Sequence, residues 1–478
     1  MINIYLKEEF YAYDAFHITK AFFPDEEIKQ HILPEQEELL LIRIGEEVIA
    51  GIRDAIGDLK KDKKSFVNKS IYEALHRYTG KELAWGILTG VRPTKLTMKK
   101  VEEGCKDEEI VAWFRENYMV TEKKARLGVE IAKREKELLE RLDYENGYSL
   151  YVGIPFCPSI CSYCSFSSYP LHEWEGKVDA YLDALCKELT FVGEASKEKK
   201  LNTVYIGGGT PTTLTAEQMD RLLTHMEHTF SYDDLQEFTM EAGRPDSITK
   251  EKLEVLRKHG ISRISVNPQT MQQKTLDIIG RKHTVQDVAD IFHMARELGF
   301  DNINMDLIAG LTGEHFSDME DTLRQIKELE PDSLTVHSLA IKRAARLGKT
   351  EGYKERLSPA EELEQMIELA AKYAKEMYLF PYYLYRQKNI AGNFENVGYA
   401  KVDKAGIYNI LIMEEKQSIV AAGAGASTKI VLPKGKEIPD KKTGDLKNIV
   451  RVENVKDVTE YITRIDEMIE RKGEWLWR

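Results

Sequence analysis

The chain has 478 residues, of which 42% are hydrophobic and 31% are charged, and its formal net charge is −12. This length predicts about two to four domains, because one domain takes roughly 100–200 residues. The acidic balance argues against a general grip on nucleic-acid phosphates, and no apolar run reaches the roughly 20 residues of a membrane span. The first residues lack the basic start and apolar middle of a secretory signal, which predicts a cytoplasmic protein.

The N-terminal part predicts an α+β domain, with a boundary near residue 147. INIYL and ELLLIRIGEEVIAGI have the apolar, β-rich character of strands. Residues 120–142 predict a charged helix with one apolar stripe, which leads into the next region.

The central part, residues 148–345, predicts six strands that alternate with helices. Thr215 and Gln218 form a capping box at the start of one helix, and Gly299 is placed to end another. Such alternation predicts a parallel sheet with helices on its outer face, and in such folds ligands bind at the carboxyl ends of the strands. The predicted strands are residues 149–155, 202–211, 238–246, 261–269, 302–310 and 333–338.

The C-terminal part, residues 346–478, predicts a further α/β unit. Residues 357–379 have the apolar spacing of a helix, and a Tyr-rich stretch follows. The next apolar run, IYNILIMEE, predicts a strand.

Cys157, Cys161 and Cys164 follow the first central strand with the spacing CxxxCxxC. A disulfide is disfavoured in a reducing compartment, and three cysteines cannot all pair among themselves. Structural zinc usually takes four ligands, often from two CxxC pairs, and the chain has no second pair. Three thiolates on a four-iron cluster leave one iron open to a small molecule. The spacing therefore favours a [4Fe-4S] cluster over zinc, a disulfide or structural thiols.

The CxxxCxxC loop, with an aromatic residue inside it, resembles that of the radical S-adenosylmethionine enzymes. YVGIPFCPSICSYCSF, IGGGTP, SVNPQTM, GRKHT and MDLIAGL are similar to the oxygen-independent coproporphyrinogen III oxidase family. WGILTGVRPTKL (85–96) and YLYRQKNIAGNFENVGYAK (383–401) resemble its HemZ branch. The resemblance implies an α/β fold: a partial (β/α)6 TIM-like barrel with the cluster at its top, an N-terminal α+β domain and a C-terminal α/β extension that covers the substrate.

The resemblance also implies roles for the motif residues. The three cysteines would hold the cluster, and their loss would abolish the reaction. The glycines of residues 207–209 would allow close backbone approach to S-adenosylmethionine, and Arg281 would pair with its carboxylate through a bidentate fork. Asp306 would suit the ribose hydroxyls. The residues matched to contacts with S-adenosylmethionine are Tyr151, Tyr163, Gly208, Gly209, Thr210, Glu241, Gln269, Arg281 and Asp306.

Other residues carry weaker signals. His337 ends the sixth strand and is predicted to be structural, while Cys105 and Cys186 are predicted to play no part in the site. A group of aromatic and basic residues either receives the propionates and face of a tetrapyrrole or packs in the core, and for the aromatic residues the core is favoured. These residues are Arg92, Lys95, Tyr383, Tyr385, Arg386 and Lys388.

By the same resemblance, the protein is an oxidoreductase of porphyrin and haem biosynthesis. A 5′-deoxyadenosyl radical would remove a hydrogen from a propionate of coproporphyrinogen III. Carbon dioxide would leave, a second electron would go to an acceptor, and two rounds would give protoporphyrinogen IX. The expected partners are this tetrapyrrole, an electron donor and an electron acceptor, with no nucleic acid and no membrane span, and the protein is expected to be a monomer.

Two departures from the family pattern keep alternatives open. Phe166 stands where the bacterial dehydrogenase has a further cysteine, and Gly153 stands where it has a histidine. A related branch of haem chaperones shares the barrel, lacks that cysteine and binds haem without decarboxylation. The alternatives are therefore a haem chaperone or an anaerobic radical enzyme that modifies haem.

Overall fold

A computed structural model of the chain describes residues 1–90, 92–166, 168–340, 345–349, 357–386, 394–439 and 446–477. Within these ranges, no helix combines the length and apolar character that crossing a membrane requires. The predicted cytoplasmic location stays a prediction.

The N-terminal part forms a four-stranded sheet with its own apolar core. The sheet has the order β2-β1-β3-β4, and helices α1 and α2 pack against it around Ile4, Phe22, Ile42 and Ile71. The strands predicted at INIYL and in ELLLIRIGEEVIAGI are confirmed, the second as a hairpin, and the predicted helix 120–142 is α5. The elements are β1 (Ile2–Leu6), α1 (Ala12–Phe22), β2 (Ile28–Ile32), β3 (Leu40–Ile44), β4 (Glu47–Ile52), α2 (Lys60–Thr79), α3 (Thr94–Glu102), α4 (Asp107–Tyr118) and α5 (Glu122–Leu139).

The central part alternates strands and helices as predicted. Its six main strands are parallel, and most of their residues are buried, as expected for a sheet with a filled interior and helices outside. The predicted capping box of Thr215 and Gln218 begins α8, and Gly299 follows α11 with φ +85°. The elements are β5 (Gly147–Ile154), β6 (Phe156–Cys157), β7 (Tyr169–Pro170), α6 (Leu171–Trp174), α7 (Val178–Ala195), β8 (Lys200–Gly208), α8 (Ala216–Thr229), β9 (Glu237–Gly243), α9 (Lys250–Lys258), β10 (Arg263–Val266), α10 (Gln273–Ile278), α11 (Val285–Glu297), β11 (Ile303–Ala309), α12 (Phe316–Leu329) and β12 (Ser333–Ser338).

The C-terminal part adds strands to both edges of this sheet. β14 pairs antiparallel with β12, and β15 pairs parallel with β5, so the described residues form one eleven-stranded sheet of order β13-β14-β12-β11-β10-β9-β8-β5-β15-β16-β19. The boundaries at 147 and 345 stay a prediction. The elements are α13 (Ala360–Glu376), β13 (Phe380–Arg386), β14 (Glu395–Ala400), α14 (Ile407–Glu414), β15 (Ser418–Ala422), β16 (Ser427–Val431), β17 (Ile438–Pro439), β18 (Leu446–Lys447), β19 (Ile449–Glu453), α15 (Val458–Thr463) and α16 (Ile465–Gly473).

The strand predicted at IYNILIMEE is wrong, because this segment forms α14. The backbone N–H groups of Ile407 and Tyr408 both donate to the carboxylate of Glu237, the second over 3.3 Å. This carboxylate satisfies donors of the first helical turn, which otherwise have no partner within the helix. Ile410 and Leu411 then bury the apolar side of the turn. A contact distant in sequence therefore decides between helix and strand in a short apolar run.

Candidate active site

The three cysteines lie in the loop after β5 and line one cavity of about 250 Å³. The loop is fixed to the end of α10, where the backbone N–H of Ser162 donates to the carbonyl of Ile279 over 3.0 Å. Burial raises the pKa of the Cys157 and Cys164 thiols. Without a metal these two thiols are therefore protonated at neutral pH, and a bound metal is needed to hold them as thiolates.

The Gly-rich loop after β8 packs directly on the cysteine loop. A Cβ atom on Gly209 would lie 2.5 Å from the carbonyl oxygen of Phe156 and 3.0 Å from the sulfur of Cys157. Gly208 has φ +116°, a conformation that favours glycine. Thr210 follows, and its hydroxyl donates to the sulfur of Cys157 over 3.5 Å. The glycines are thus needed for contact between the two loops. The close approach of their backbone to S-adenosylmethionine stays a prediction.

Two carboxyl groups, Glu241 on β9 and Asp306 on β11, line the same cavity. Burial raises the pKa of Glu241 to about 7, although the Tyr205 hydroxyl donates to its carboxylate. Burial also acts to raise the pKa of Asp306, but the nearby His337 side chain and a hydrogen bond from Asn304 hold it below its ordinary value. The Asn304 amide donates to Asp306 Oδ1 over 2.7 Å. At neutral pH, Asp306 is therefore ionised while Glu241 is about half protonated.

Gln269 lines the cavity in a conformation that its neighbours impose. Its φ is +69°, in the left-handed region, which is uncommon for a residue other than glycine. Its N–H donates to the carbonyl of Asp306 over 2.9 Å, and its own carbonyl accepts from the N–H of Ile308 over 2.9 Å. Such strain is often found at functional sites.

Arg281 and Tyr163 form the charged end of the cavity. The Arg281 guanidinium, with 6% of the residue exposed, donates to the carbonyl of Asn267 and, over 3.3 Å, to the Tyr163 hydroxyl. Among the described residues, Arg281 Nε and Asn267 Oδ1 are buried without a hydrogen-bond partner. Buried polar atoms normally have partners, so these two indicate a polar ligand at this end.

Arg244 also lines the cavity, although it was not predicted from the sequence. Its Nη1 donates over 2.8 Å to the carbonyl and to the hydroxyl of Ser159 and lies 3.9 Å from the sulfur of Cys161. Its other donors make a two-point contact with the Asp246 carboxylate. The signal was the GRPD sequence at the end of the third predicted strand, which holds an arginine at a strand end.

Tyr151 lies one layer behind the cavity. It is not among the described residues that line the cavity, and its ring stacks at 6.3 Å on Tyr205 and at 6.4 Å on Tyr408. Tyr205 is the residue that donates to Glu241, so Tyr151 supports the carboxyl group from behind. Its role as a cofactor contact stays a prediction.

The structure brings every other predicted cofactor contact into the cavity wall. Tyr163, Gly208, Gly209, Thr210, Glu241, Gln269, Arg281 and Asp306 all line it, together with the three cysteines. Their individual roles stay predictions.

A second wall of the cavity holds His337, Ser338 and Tyr385. The Tyr385 hydroxyl and His337 Nδ1 are 3.2 Å apart, and His337 Nε2 is 4.0 Å from Asp306 Oδ2. His337 was predicted to be structural, so its place in this wall was not anticipated. The second wall thus offers polar groups that are distinct from the cysteine loop.

Arg92 and Tyr383 do not line the cavity. Arg92 pairs with Glu415, and its Nη1 donates to the carbonyl of Met413 over 2.6 Å. Tyr383 is 6% exposed and packs in a small core, as the sequence analysis favoured. Lys388 lies outside the described residues.

The residues present fit an iron–sulfur cluster with a polar small molecule beside it. Among the described residues, no three Cys, His, Asp or Glu side chains converge on a single-ion site. Three thiolates on a four-iron cluster each bind a different iron, so they need not converge on one point, whereas zinc ligands must. Arg281 Nε supplies an unpartnered donor for an anionic group next to the cysteines, and Asn267 Oδ1 supplies an unpartnered acceptor for a donor group of the same ligand.

Comparisons with known proteins place this site in a family. The model of the radical SAM superfamily matches residues 151–326. The oxygen-independent coproporphyrinogen-III oxidase-like protein HemZ of Bacillus subtilis is 42% identical over 87% of this chain and 81% of that protein. The haem chaperone HemW of the same organism is 38% identical over 40% of this chain and 50% of that protein. The structure of coproporphyrinogen III oxidase HemN from Escherichia coli matches with a TM-score of 0.52 at 22% identity, over 70% of this chain and 73% of that one.

The barrel, the cysteine loop and the matched model together define a radical SAM enzyme, with a [4Fe-4S] cluster and S-adenosylmethionine as cofactors. Within that superfamily, the chain belongs to the family of oxygen-independent coproporphyrinogen III oxidase-like proteins that includes HemZ. The α/β fold inferred from the family resemblance, a partial TIM-like barrel, is confirmed.

Proposed function

We propose that the protein is a coproporphyrinogen III dehydrogenase, which converts two propionate side chains to vinyl groups and yields protoporphyrinogen IX. The observation that carries the proposal is one cavity with two chemically different walls. The cysteine loop and Arg281 form one wall, while His337, Ser338 and Tyr385 form the other. Similarity to an oxidase-like HemZ along most of the chain supports a tetrapyrrole substrate.

The cysteine wall is the proposed cofactor side. Cys157, Cys161 and Cys164 would hold the cluster, and Arg281 would hold the carboxylate of S-adenosylmethionine. When bound, these cofactors supply the one-electron chemistry that removes a hydrogen atom from the substrate. Glu241 would accept from the ligand's ammonium group. The surrounding burial excludes water from the reacting atoms.

The second wall is the proposed substrate side. His337 and Tyr385 are held together by their 3.2 Å contact, so both are oriented before a ligand binds. A propionate carboxylate suits donors such as an imidazole N–H and a phenol. Each propionate would lose one hydrogen atom, carbon dioxide and one electron, and the electron would pass to a separate acceptor. The proposal also includes a separate electron donor, a separate electron acceptor and a monomeric protein.

The test is anaerobic reconstitution with iron and sulfide, followed by incubation with S-adenosylmethionine, a reductant and coproporphyrinogen III. Mass spectrometry should show the loss of two carboxyl groups from the substrate. A Cys161→Ala variant should give neither this product nor 5′-deoxyadenosine. Formation of 5′-deoxyadenosine by the wild type with unchanged coproporphyrinogen III would rule out this substrate.

Haem is the second candidate ligand, favoured by the similarity to a haem chaperone across the barrel. Phe166, which lines the cavity and is 73% exposed, also offers an apolar face beside Cys164. Titration with haem under anaerobic conditions should give a saturable absorbance change if the protein is a chaperone. Mass spectrometry of the recovered haem separates binding from modification.

A further inference from the structure

The two stretches that resemble the HemZ branch, residues 85–96 and 383–401, meet at a buried group of charged and aromatic side chains. This group, which we call the Trp85 cluster, consists of Trp85, Lys124, Arg386 and Glu395. We propose that the Trp85 cluster is a positioning element, through which the N-terminal part of the chain fixes the substrate wall of the cavity. The identity of the substrate rests on the proposed function, but the link between the cluster and the wall does not.

Contacts within the cluster join three parts of the chain. The indole N–H of Trp85 donates to Glu395 Oε2 over 2.7 Å, and Lys124 from α5 pairs with Glu395 Oε1. The Arg386 guanidinium lies 5.9 Å from the Trp85 ring centre, and its Nη1 donates to the carbonyl of Leu88 over 2.6 Å. The N-terminal stretch thus holds both β13, through Arg386, and β14, through Glu395.

The same two strands adjoin the substrate wall, because β13 carries Tyr385 and β14 is hydrogen-bonded to Ser338 at the end of β12. Arg386 and Glu395 are paired in register, and the next pair is Tyr385 with Asn396. Asn396 Oδ1 accepts from the N–H of Ser338 over 2.7 Å, and the Ser338 hydroxyl donates to the carbonyl of Glu395 over 3.0 Å. Both Tyr385 and Ser338 of the wall are therefore linked directly to the Trp85 cluster. Tyr385 precedes Arg386 in the chain, and Ser338 is hydrogen-bonded to Glu395.

The buried charges of the cluster restrict the positions that β13 and β14 can take. Lys124, Arg386 and Glu395 are all at least 95% buried. Burial lowers the pKa of Arg386 to about 10, while Lys124 and Trp85 hold the pKa of Glu395 below its ordinary value against the effect of burial. A buried charge tolerates only geometries in which its partners are present, so movement of β13 or β14 would leave one unpaired. The cluster thus selects one position of the wall.

The experiment compares Trp85→Phe with Trp113→Phe in the reconstituted full-length enzyme. Phenylalanine keeps most of the ring but removes the N–H donor to Glu395. Trp113 is the matched control, since it is partly buried in the N-terminal part and packs against Phe114 and Lys100, away from the cavity. Glu395→Gln serves as a second variant that keeps the shape of the side chain. Amide hydrogen exchange and product yield are measured for all three.

Exchange in Trp85→Phe should accelerate about tenfold in peptides covering 333–340 and 380–386, because a lost buried hydrogen bond loosens the adjoining strands. The peptide covering 151–166 and all peptides of Trp113→Phe should keep wild-type exchange. The amount of 5′-deoxyadenosine formed per vinyl group should rise, again about tenfold, because S-adenosylmethionine is cleaved while the substrate is misplaced. Glu395→Gln should change both quantities in the same direction.

Two results would overturn the inference. One is wild-type exchange of 333–340 and 380–386 in both cluster variants. The other is an equal acceleration of 151–166, which would show a general loss of stability rather than positioning. If the wild-type enzyme makes no vinyl product, the proposed function fails, and the exchange measurements still decide whether the Trp85 cluster fixes the wall.

Discussion

The guanidinium of Arg244 lies 3.9 Å from the sulfur of Cys161, and the Asp246 carboxylate holds it there through two contacts. Arg244 also donates to Ser159 within the same cysteine loop. Only 3% of Arg244 is exposed, so its charge is weakly screened by solvent. A permanent positive charge thus lies beside a predicted cluster ligand.

We expect Arg244→Gln to lower the reduction potential of the reconstituted cluster, because loss of a nearby positive charge disfavours the added electron. The shift should be on the order of 100 mV, since a unit charge at about 4 Å contributes about 4 kcal/mol at an effective dielectric constant of 20. Anaerobic redox titration followed by absorbance measures this. Arg257→Gln is the control, because Arg257 stacks on Phe300 at 5.2 Å and does not line the cavity. Equal potentials in wild type and Arg244→Gln would contradict the prediction.

Gly209→Ala should impair cluster loading. The added methyl group would lie 2.5 Å from the carbonyl oxygen of Phe156 and 3.0 Å from Cys157 Sγ, so the two loops must move apart. Overpacking of this kind typically costs about 1–3 kcal/mol of unfolding free energy. Iron content per chain after reconstitution is the readout. Gly176→Ala, where a Cβ meets nothing within 4 Å, should load iron like the wild type, and normal iron content in Gly209→Ala would refute the prediction.

Binding of S-adenosylmethionine should strengthen as the pH rises through about 7, the pKa to which burial raises Glu241. In the proposed arrangement, the ionised carboxylate attracts the ligand's ammonium group, whereas the neutral acid does not. The ionised fraction rises about eightfold between about pH 6.0 and 7.5, and the affinity should rise by up to that factor. Calorimetric titration of the reconstituted protein measures it. Glu241→Gln should lack this dependence, and the same slope in the variant would exclude Glu241 as its source.

The same ionisation has the opposite effect on the unliganded protein. The pKa of Glu241 is raised on folding from its ordinary value of 4.5, so the folded state binds the proton more tightly than the unfolded chain. This contribution to stability is complete below about pH 4.5 and is lost as the pH rises through about 7. Comparison of the melting temperatures of wild type and Glu241→Gln over this range isolates it.

Glu237→Gln should destabilise the fold by about 1 kcal/mol, because a charge-assisted cap of α14 becomes a neutral one. The N–H groups of Ile407 and Tyr408 both donate to the Glu237 carboxylate. Chemical unfolding monitored by circular dichroism gives the free-energy difference. Glu254→Gln, at an exposed position on α9, should change it by less than about 0.5 kcal/mol. An unchanged free energy in Glu237→Gln would mean that the cap contributes nothing.

Signals carried by neighbouring residues allowed much of this fold to be predicted from sequence. Thr215 and Gln218 cap their helix within four positions, and the cysteine spacing is complete within eight. The helix at residues 407–414 was missed because its cap, Glu237, is 170 positions away. Arg244 was missed for the same reason, since its contact with Cys161 spans 83 positions. Pairings over such distances depend on the order of the strands in the sheet. A short stretch of sequence does not specify that order.

The pairing of β15 with β5 has a consequence for how the chain folds. Ser418 lies beside Tyr148, so the first barrel strand finds one of its two neighbours only 270 positions later. Contacts this distant in sequence slow folding. During synthesis, β5 would emerge from the ribosome with one edge unpaired and few residues packed against that side. The sheet around the first barrel strand, which carries the cysteine loop at its end, is therefore complete only once residues 418–422 have been made.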